Sequence, residues 1–347
     1  MKQYLIIKPS SMGDILHAFP AVAYLHRKEP EAVIDWLIHP AFDDLLDYLP
    51  GIRKKIHFKR SELGNYRTFF PAFLSLLREI RAERYDMVID LQGLIRSAVI
   101  GRFVRSGKYY GPAVTREKAA SCFYKQKIFV PEEILHAVER NCALMAQCCS
   151  ADTVPGDYLL PVVEKHRTAA ETLLSTHGIS CSDRILAVAP GARWVTKQWP
   201  PAFFAQVIAG FSGQFPDAKT VLIGSPGDRV LSAEIIRSLK NSCNVFDLTG
   251  ETTVGSMIEV IRSASVLLCN DSGPMHAAAS VGTPVVAFFG PTDPALTGPY
   301  CKIKEILQPE LDCIRCFRKQ CGESVCHQSV SASVTLEKLV GLFKKGE

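Results

Sequence analysis

The sequence predicts an α/β protein whose strands form parallel sheets. Short runs of consecutive apolar residues alternate with amphipathic stretches along all 347 residues. Continuous apolar runs are typical of strands that helices cover on both faces, as in parallel sheets. The length is enough for two domains of about 150–170 residues each. We therefore predict two α/β domains, each built on a parallel sheet.

The individual elements follow from the same alternation. In the first half the predicted strands are residues 4–8, 33–38 and 87–90, with a helix at 71–81. In the second half the predicted strands are 185–189, 220–224, 245–248, 266–270 and 285–289, with helices at 200–211, 229–239 and 254–263. Two prolines and a glycine interrupt the pattern at 153–161, so we predict domains at 1–155 and 162–330. Segment 331–347 contains a last helix that can pack on either domain.

Composition excludes several classes of protein. Hydrophobic residues make up 47% and charged residues 22%, which excludes a disordered or fibrous chain. No apolar run approaches the roughly 18–20 residues of a membrane-spanning helix. The opening residues, MKQYLII, predict a strand rather than a signal peptide, so we expect a cytoplasmic protein. The motifs G-x-G-x-x-G and G-x-x-x-x-G-K-[ST] are absent, which disfavours a dehydrogenase and a P-loop kinase.

Basic charge is concentrated in one part of the chain. Residues 51–150 contain 18 Lys or Arg and 9 Asp or Glu, whereas the whole chain has a net charge of +5. Such a cluster indicates either an anionic partner or a solvated basic face. The 12 cysteines are expected to be reduced thiols, because cytosolic proteins rarely keep disulfides.

The first candidate functional residue is Asp14, in a strand-to-helix turn. Residues 8–20, KPSSMGDILHAFP, leave the first predicted strand and enter a helix. Gly13 permits unusual backbone angles, and Pro20 indicates a helix that begins late or is kinked. Two interpretations of Asp14 are open: an N-cap of the helix, or a general base on the crevice side of the sheet.

A second turn combines a polar strand end with a helix N-terminus. Residues 266–279, VLLCNDSGPMHAAA, pass from a buried strand into a helix of small residues that Pro274 starts. Backbone N–H groups near Ser272 and Gly273, with the helix dipole, predict a seat for an anion. His276 contacts a phosphate in one interpretation and is a structural hydrogen-bonding residue in the other.

A third turn carries two cations. Residues 189–201, APGARWVTKQWPP, place Arg193 and Lys197 between a strand and a helix. These side chains can hold a pyrophosphate and offset charge on a leaving group, or they are ordinary surface cations. Residues 290–294, GPTDP, close another strand at the same expected edge.

A cysteine cluster lies near the end of the chain. Cys313, Cys316, Cys321 and Cys326 are separated by two, four and four residues, and His327 follows. Thiolates at these spacings can bind zinc or an iron–sulfur cluster, but the spacing also fits reduced structural thiols.

Four of these motifs occur in one order: SSMGD at 10–14, KQWP at 197–200, NDSGPMH at 270–276 and GPTDP at 290–294. With them the sequence, from about residue 4 to residue 300, resembles the lipopolysaccharide heptosyltransferases, the ninth glycosyltransferase family. The resemblance implies a GT-B fold, in which two Rossmann-like domains with parallel sheets face a central cleft. It also implies transfer of heptose from ADP-heptose to the Kdo region of the lipopolysaccharide inner core, inverting the anomeric centre without a required metal or cofactor.

The resemblance assigns roles to individual residues. Asp14 matches the catalytic base that takes the proton of the acceptor hydroxyl. Donor binding is implied for the residues of the later motifs and their neighbours: Arg193, Lys197, Asp228, Asp271, Ser272, Gly273 and His276. Ser272 stands where some members of the family have threonine.

The implied acceptor is an anionic glycolipid, Kdo-lipid A, at the inner face of the cytoplasmic membrane. We therefore expect a peripheral membrane enzyme with no nucleic-acid partner. Arg60 and Arg96 are the candidate acceptor contacts. Arg53, Lys54 and Lys55 form a cationic run that either is attracted to an anionic membrane or is a solvated loop.

The type of enzyme and two other functions stay open in the sequence. Residues 10–17 and 290–300 look like type I heptosyltransferases, which add the first heptose to Kdo, whereas residues 270–273 and the cysteine cluster look more like type II. We favour type I. The alternatives are a sugar-nucleotide 2-epimerase and a non-catalytic nucleotide-sugar-binding protein that senses metal or redox state through the cysteines.

Overall fold

The computed structural model describes residues 1–240, 244–323 and 325–345, which divide into two compact units. The first unit is Met1–Tyr158 and the second is Leu159–Glu347. Residues 346 and 347, the end of the predicted segment 331–347, lie outside the described residues. In the part of the chain that the structure describes, no helix combines the length and the apolarity needed to cross a membrane.

The first unit is a six-stranded, wholly parallel sheet with the strand order β3-β2-β1-β4-β5-β6. Its strands are β1 Gln3–Ile7, β2 Val33–Ile38, β3 Ile52–His57, β4 Tyr85–Asp90, β5 Ser106–Pro112 and β6 Gln126–Ile128. In register, β1 pairs Gln3 with Val33 of β2 on one side and Tyr4 with Met87 of β4 on the other. This is the doubly wound Rossmann order, which reverses direction between β1 and β4.

Helices cover both faces of this sheet. They are α1 Met12–Leu16, α2 Phe19–Lys28, α3 Arg60–Leu63, α4 Phe69–Arg81, α5 Ile95–Phe103 and α6 Ala137–Cys148, with 3₁₀ turns at Pro40–Tyr48 and Lys118–Phe123. The break expected from Pro20 is confirmed, because α1 ends at Leu16 and Pro20 lies in the first turn of α2. Under α4 and α5 the core packs Leu5, Ile7 and other strand residues against the buried sides of these helices.

The cationic run of residues 53–55 is not a solvated loop, and that interpretation is wrong. The three residues lie in β3 and each forms an ion pair. Arg53 Nη2 lies 2.6 Å from Oδ2 of the fully buried Asp35, Lys54 pairs with Glu79, and Lys55 pairs with Asp47. An edge strand exposes alternate residues to water, so its polar composition hid it from a search for continuous apolar runs.

The second unit repeats the arrangement with the order β12-β11-β10-β7-β8-β9, again wholly parallel. Its strands are β7 Ile185–Ala189, β8 Lys219–Leu222, β9 Val245–Asp247, β10 Val266–Asn270, β11 Val285–Phe288 and β12 Lys304–Leu307. Counted along the chain from β7, this is the same doubly wound order, and its direction reverses between β7 and β10. The prediction of two Rossmann-like parallel sheets is therefore confirmed.

Helices again lie on both faces of the second sheet. They are α7 Glu164–Thr176, α8 Pro201–Gln214, α9 Arg229–Ser238, α10 Val254–Ser263, α11 Gly273–Val281, α12 Pro294–Thr297, α13 Val325–Gln328 and α14 Ala332–Lys345, with 3₁₀ turns at Val195–Lys197 and Pro226–Asp228. Gly282 ends α11 with φ +83°, a left-handed conformation that favours glycine. The sequence left open where the last helix packs; α14 buries Leu339 and Phe343 in the core of the second unit, where Phe343 meets Phe211 of α8 edge to face.

Candidate functional site

The two topological switch points give two places for functional residues. In a doubly wound sheet the connections on either side of the switch run to opposite faces, so a crevice opens at the carboxyl ends of the two central strands. In the first unit these strands are β1 and β4, and in the second they are β7 and β10. Asp14 follows β1, and Asp271 follows β10.

Asp14 lies in the third position of α1 and is half-buried. Its Oδ2 accepts two hydrogen bonds from Ser11, one from the backbone N–H and one from Oγ, each 2.8 Å long. Ser11 is the N-cap residue, so the interpretation of Asp14 as the N-cap itself is wrong. The carboxylate instead closes the first turn from within the helix, as the acid of a capping box does.

The second unit contains the same local structure at Asp228. The sequence S-x-G-D occurs at 11–14 and again at 225–228, and Asp228 Oδ2 also accepts from the backbone N–H and Oγ of Ser225, at 2.8 and 2.7 Å. The carboxylate of Asp228 lies against Gly191, where an added Cβ would come within 2.3 Å of Oδ1. The hydrogen-bond pair at Asp14 is therefore a property of the S-x-G-D turn and does not by itself indicate a catalytic base.

A buried lysine sets the environment of Asp14. Lys8, the residue after β1, is buried, and its Nζ donates to the carbonyl of Leu91, at 2.5 Å, after β4. Burial lowers the pKa of Lys8, and the carboxylates of Asp14 and Asp90 act in the opposite direction. Asp90 is itself buried at the end of β4, where burial raises its pKa and hydrogen bonds from the backbone N–H groups of residues 92 and 93 oppose the rise. The first switch point thus holds a buried cation, Lys8, close to the carboxylates of Asp14 and Asp90.

Arg60 and Arg96 line one cavity with Ser10. Arg60 begins α3 and Arg96 lies in the first turn of α5, so two exposed arginines 36 positions apart in the sequence line the same cavity. Ser10 directly precedes the S-x-G-D turn of Asp14. The structure therefore brings both predicted acceptor residues to the switch point of the first unit.

In the second unit Lys197 and Asp271 form an ion pair at the carboxyl ends of β7 and β10. Lys197 Nζ lies 2.6 Å from Asp271 Oδ2, and the Asp271 side chain is 4% exposed. Thr292 Oγ1, from the turn after β11, donates to the same Oδ2 at 2.5 Å. The ammonium also lies 4.8 Å from the ring centroid of Trp194. The carboxylate and the ring hold the ammonium in one position, as the binding of a diphosphate requires.

The start of α11 lies directly beside this ion pair. Ser272 is the N-cap and Gly273 is the first helical residue. Pro274 lies in the first turn, where the sequence predicted that it starts the helix. The positive end of the α11 dipole begins two residues after Asp271, and the ammonium of Lys197 lies 2.6 Å from the Asp271 carboxylate, so the edge of this unit favours an anionic ligand. His276 is buried in the first turns of α11.

Arg193 and Asp228 do not join the ion pair directly. Arg193 is exposed in the turn between β7 and the 3₁₀ segment of Lys197. Asp228 contacts the same turn through Gly191, two residues before Arg193. Both predicted donor residues therefore border the turn that carries Lys197.

Asn270 fixes the turns that carry the site. It is fully buried at the end of β10, where its Oδ1 accepts from the backbone N–H of Trp199 at 3.0 Å and its Nδ2 donates to the carbonyl of Pro190 at 2.7 Å. One amide thus links the turn after β7 to the first residues after Lys197.

Replacing Asn270 by alanine is expected to lower the free energy of unfolding by about 2–4 kcal/mol, because it leaves a buried N–H and a buried carbonyl without partners. The matched control is Asn244→Ala, since Asn244 also bridges two groups, Lys219 Nζ and the Pro216 carbonyl, but is partly exposed. In Asn244→Ala water replaces the lost amide, so we expect the free energy of unfolding to fall by less than about 1 kcal/mol. Equal losses in urea unfolding would contradict the role given to Asn270.

The cysteine cluster lies in an exposed segment that packs on the turns of the site. Cys313, Cys316 and Cys321 are exposed and Cys326 is half-buried against Gly290. No three of the four Sγ atoms, all in described residues, lie within 4.8 Å of one another. A thiolate metal site stays a prediction.

The segment around these cysteines is held by residues of the turns that follow β7 and β11. Thr196 Oγ1 donates to the carbonyl of Arg318, and His327 Nε2 donates to the carbonyl of Thr196, each at 2.8 Å. The backbone N–H of Phe317 donates to the carbonyl of Pro291. The segment therefore packs against the residues that flank Lys197 and Thr292.

Three polar residues of the candidate site were not singled out by the sequence analysis: Lys8, Asn270 and Thr292. Each stands inside a quoted motif: Lys8 directly follows β1, Asn270 ends β10, and Thr292 lies in the turn after β11. These residues could have been found as polar residues at or after the carboxyl end of a central or neighbouring strand. In a doubly wound sheet such positions line the ligand crevice at the switch point, but the strand order must be known first.

Comparisons with known proteins agree with this arrangement. The family model described as Glycosyltransferase family 9 (heptosyltransferase) matches residues 73–327. Lipopolysaccharide heptosyltransferase 1 of Pseudomonas aeruginosa is 28% identical over 333 residues, covering 91% of this chain and 86% of that protein. Lipooligosaccharide heptosyltransferase 2 of Haemophilus influenzae is 27% identical over 360 residues, covering 98% of this chain and 99% of that protein.

A solved structure shows the same fold. Escherichia coli heptosyltransferase WaaC, determined with ADP, superposes with a TM-score of 0.79 at 22% identity and covers 98% of this chain and 99% of that chain. Similarity to relatives of both types is nearly equal, so sequence identity does not separate type I from type II.

Proposed function

This chain belongs to glycosyltransferase family 9, and we propose that it transfers heptose from ADP-heptose to the Kdo region of the lipopolysaccharide inner core. The observation that carries the proposal is the Lys197–Asp271–Thr292 cluster at the switch point of the second unit, in which the half-buried ammonium of Lys197 is held beside the N-terminus of α11. The structure with ADP of a relative that shares the fold is consistent with an ADP-linked donor. The first unit then supplies the base and the acceptor contacts.

In the proposed reaction Asp14 takes the proton of the acceptor hydroxyl as that oxygen attacks the anomeric carbon of the heptose. The bond from the anomeric carbon to the phosphate oxygen breaks on the opposite side, so the configuration inverts and ADP leaves with the bonding electrons. We propose that the donor's own phosphate linkage supplies the leaving group and that no cofactor takes part in the step. A positioned carboxylate base contributes about 10²–10⁴-fold to such a step.

Lys197 stabilises the charge that develops on the departing ADP. Its ammonium is already held by Asp271 and lies by the Trp194 ring, so little reorganisation is needed as charge builds up. The N-terminus of α11, with Ser272 and Gly273, adds oriented N–H groups to the same phosphates. We assign Arg193, Asp228 and His276 to the remaining contacts with the donor.

We assign the acceptor to the cavity of Ser10, Arg60 and Arg96. The cavity measures about 20 Å³ and itself holds only about one water, so we propose that it marks where a Kdo carboxylate reaches the two exposed guanidinium groups. Guanidinium groups bind carboxylates with two parallel hydrogen bonds, and Kdo is a sugar acid. The same cavity borders the turn of Asp14, which the proposed proton transfer requires.

Charge reversal tests the acceptor contacts. We expect Arg60→Glu and Arg96→Glu each to raise the KM for a Kdo-containing acceptor by about 10-fold or more, because a carboxylate then faces a carboxylate, while the KM for ADP-heptose stays unchanged. The control is Arg102→Glu, an exposed arginine of α5 that does not line the cavity. An unchanged acceptor KM in both cavity variants would remove these residues from acceptor binding.

Type I and type II activity are separated by the acceptor. Purified enzyme is given ADP-heptose with either a Kdo-terminated acceptor or the same acceptor already carrying one heptose on Kdo. We expect kcat/KM to favour the Kdo-terminated acceptor. Preference for the heptosylated acceptor would establish type II activity, and conversion of ADP-heptose to another sugar nucleotide without acceptor would establish an epimerase.

We also propose that the enzyme works at the inner face of the cytoplasmic membrane, because the proposed acceptor is a lipid. Residues 53–55 do not account for membrane binding alone, since each forms an ion pair within the first unit. Another surface must meet the bilayer.

A further inference from the structure

Helix α4 and its neighbours expose a contiguous aromatic surface in the first unit. This aromatic surface consists of Tyr66, Phe69, Phe70, Phe73, Leu74 and Phe103. Four of its five rings contact one another in series: Phe70 with Phe69, Phe69 with Phe73, and Phe73 with Phe103, with centroid distances of 5.5, 5.5 and 5.8 Å. Yet Tyr66 is 79% and Phe70 71% exposed.

The packing of α4 does not account for these side chains. The helix buries Leu76 and Ile80 in the core, and these two residues lie in its second half. Phe70 and Leu74, one turn apart at the start of the helix, point to solvent. Contiguous exposed apolar surface on a folded protein marks a binding surface.

The charges around the aromatic surface have one sign. Residues 59–81 contain five Lys or Arg and two Glu. Both glutamates are already neutralised, Glu62 by Lys59 and Glu79 by Lys54 of β3. The exposed arginines include Arg67, whose Nε donates to Tyr66 Oη, and Arg78, one turn after Leu74. The rings are thus surrounded by net positive charge.

We propose that the aromatic surface docks the first unit on an anionic lipid bilayer, with the rings at the level of the headgroups and the arginines on lipid phosphates. Aromatic side chains favour the membrane interface, and basic residues beside them are attracted to anionic lipids. Charge complementarity selects an anionic bilayer over an uncharged apolar partner.

The position of the surface also fits a lipid-borne acceptor. Helix α3, which begins with the cavity residue Arg60, packs against α4. A bilayer at α4 therefore places lipid headgroups beside the cavity that we assign to the acceptor. This consequence of docking depends on the proposed function, whereas docking itself does not.

The test measures partitioning of the full-length enzyme, without substrates, into vesicles of phosphatidylglycerol and phosphatidylethanolamine and into vesicles of phosphatidylcholine. We expect binding to the anionic vesicles, and at least a tenfold weaker partition coefficient for Tyr66→Ser/Phe70→Ser and for Arg67→Glu/Arg78→Glu. The matched controls are Phe129→Ser and Lys127→Glu. Both residues are exposed and lie at or after β6, at the opposite edge of the sheet from β3, so partitioning is expected to stay unchanged.

A gain-of-signal variant keeps the test independent of any folding defect. Phe70→Trp is expected to show fluorescence quenching by brominated lipids in anionic vesicles that exceeds the quenching of the native protein. Equal binding to both vesicle types, wild-type binding by the two double variants, or absence of extra quenching would each overturn the proposal. So would a change in oligomeric state of Tyr66→Ser/Phe70→Ser with vesicle binding retained, since the surface would then contact a second copy.

A soluble acceptor separates this inference from the proposed function. With a Kdo acceptor that lacks acyl chains, both double variants are expected to turn over like the wild type. Vesicle binding without heptose transfer by the wild type would refute the proposed function and leave the docking surface standing. Heptose transfer by a wild-type enzyme that does not bind vesicles would refute the docking surface and leave the proposed function standing.

Discussion

Replacing Asp14 by asparagine is expected to lower kcat by about 10³-fold while the protein stays folded. The amide has nearly the same shape and still accepts the hydrogen bonds of Ser11 through its carbonyl oxygen, but it cannot take a proton. We expect kcat and kcat/KM to fall together and the KM values to stay within a few-fold of the wild type, because the lost interaction exists only in the transition state. Steady-state kinetics with ADP-heptose and a Kdo-terminated acceptor measures this.

The duplicated turn supplies the matched control. Asp228→Asn replaces the same charged acceptor by an amide oxygen in the same S-x-G-D sequence, so both substitutions should change the free energy of unfolding by a similar amount, at most about 1 kcal/mol. Asp228→Asn is expected to act on the KM for the donor and to leave the chemical step largely intact. A near-normal kcat for Asp14→Asn would remove Asp14 from the mechanism.

Replacing Lys197 by methionine is expected to lower kcat/KM for the donor by about 10³-fold, because the phosphates lose their positioned cation. It also leaves the buried carboxylate of Asp271 with the Thr292 hydroxyl but without its cation, so the free energy of unfolding should fall by about 3 kcal/mol. Isothermal titration with ADP and urea unfolding measure the two effects separately.

A double variant distinguishes these two roles of Lys197. In Lys197→Met/Asp271→Asn no buried charge is left unpaired, so stability should recover, while donor binding and transfer should not. Lys319→Met is the control for the side chain alone, since Lys319 Nζ lies 5.3 Å from the same Trp194 ring but is exposed. Recovery of transfer in the double variant would show that Lys197 only neutralises Asp271.

The sequence was sufficient for the central strands of both sheets and for the turns that follow them. Strands such as β1, β7 and β10 are buried on both faces and are continuous apolar runs, and the chemistry lies where they end. Edge or near-edge strands such as β3, β5 and β12 were not predicted. One side of each contacts water or polar groups, so polar and apolar residues are mixed along the strand. Their positions depend on pairing with a neighbour that local sequence does not specify.

In the candidate site, too, the individual residues were predictable from local sequence, whereas the contacts between them were not. Lys197 and Asp271 were predicted from their turns, but their 2.6 Å ion pair joins residues 74 positions apart and needed the order of the strands. The role of Asp14 in closing the first turn through Ser11 was not anticipated, because an N-cap and a capping-box acid differ by three residues of register. The cavity shared by Arg60 and Arg96 likewise arises only from the tertiary fold.

The most direct test of the proposed reaction is single-turnover mass spectrometry with ADP-heptose and Kdo₂-lipid A. The account predicts that the acceptor gains one heptose for each ADP released, and that no donor is consumed when the acceptor is left out. Binding of ADP-heptose without any gain of mass on the acceptor, or conversion of the donor alone, would contradict it.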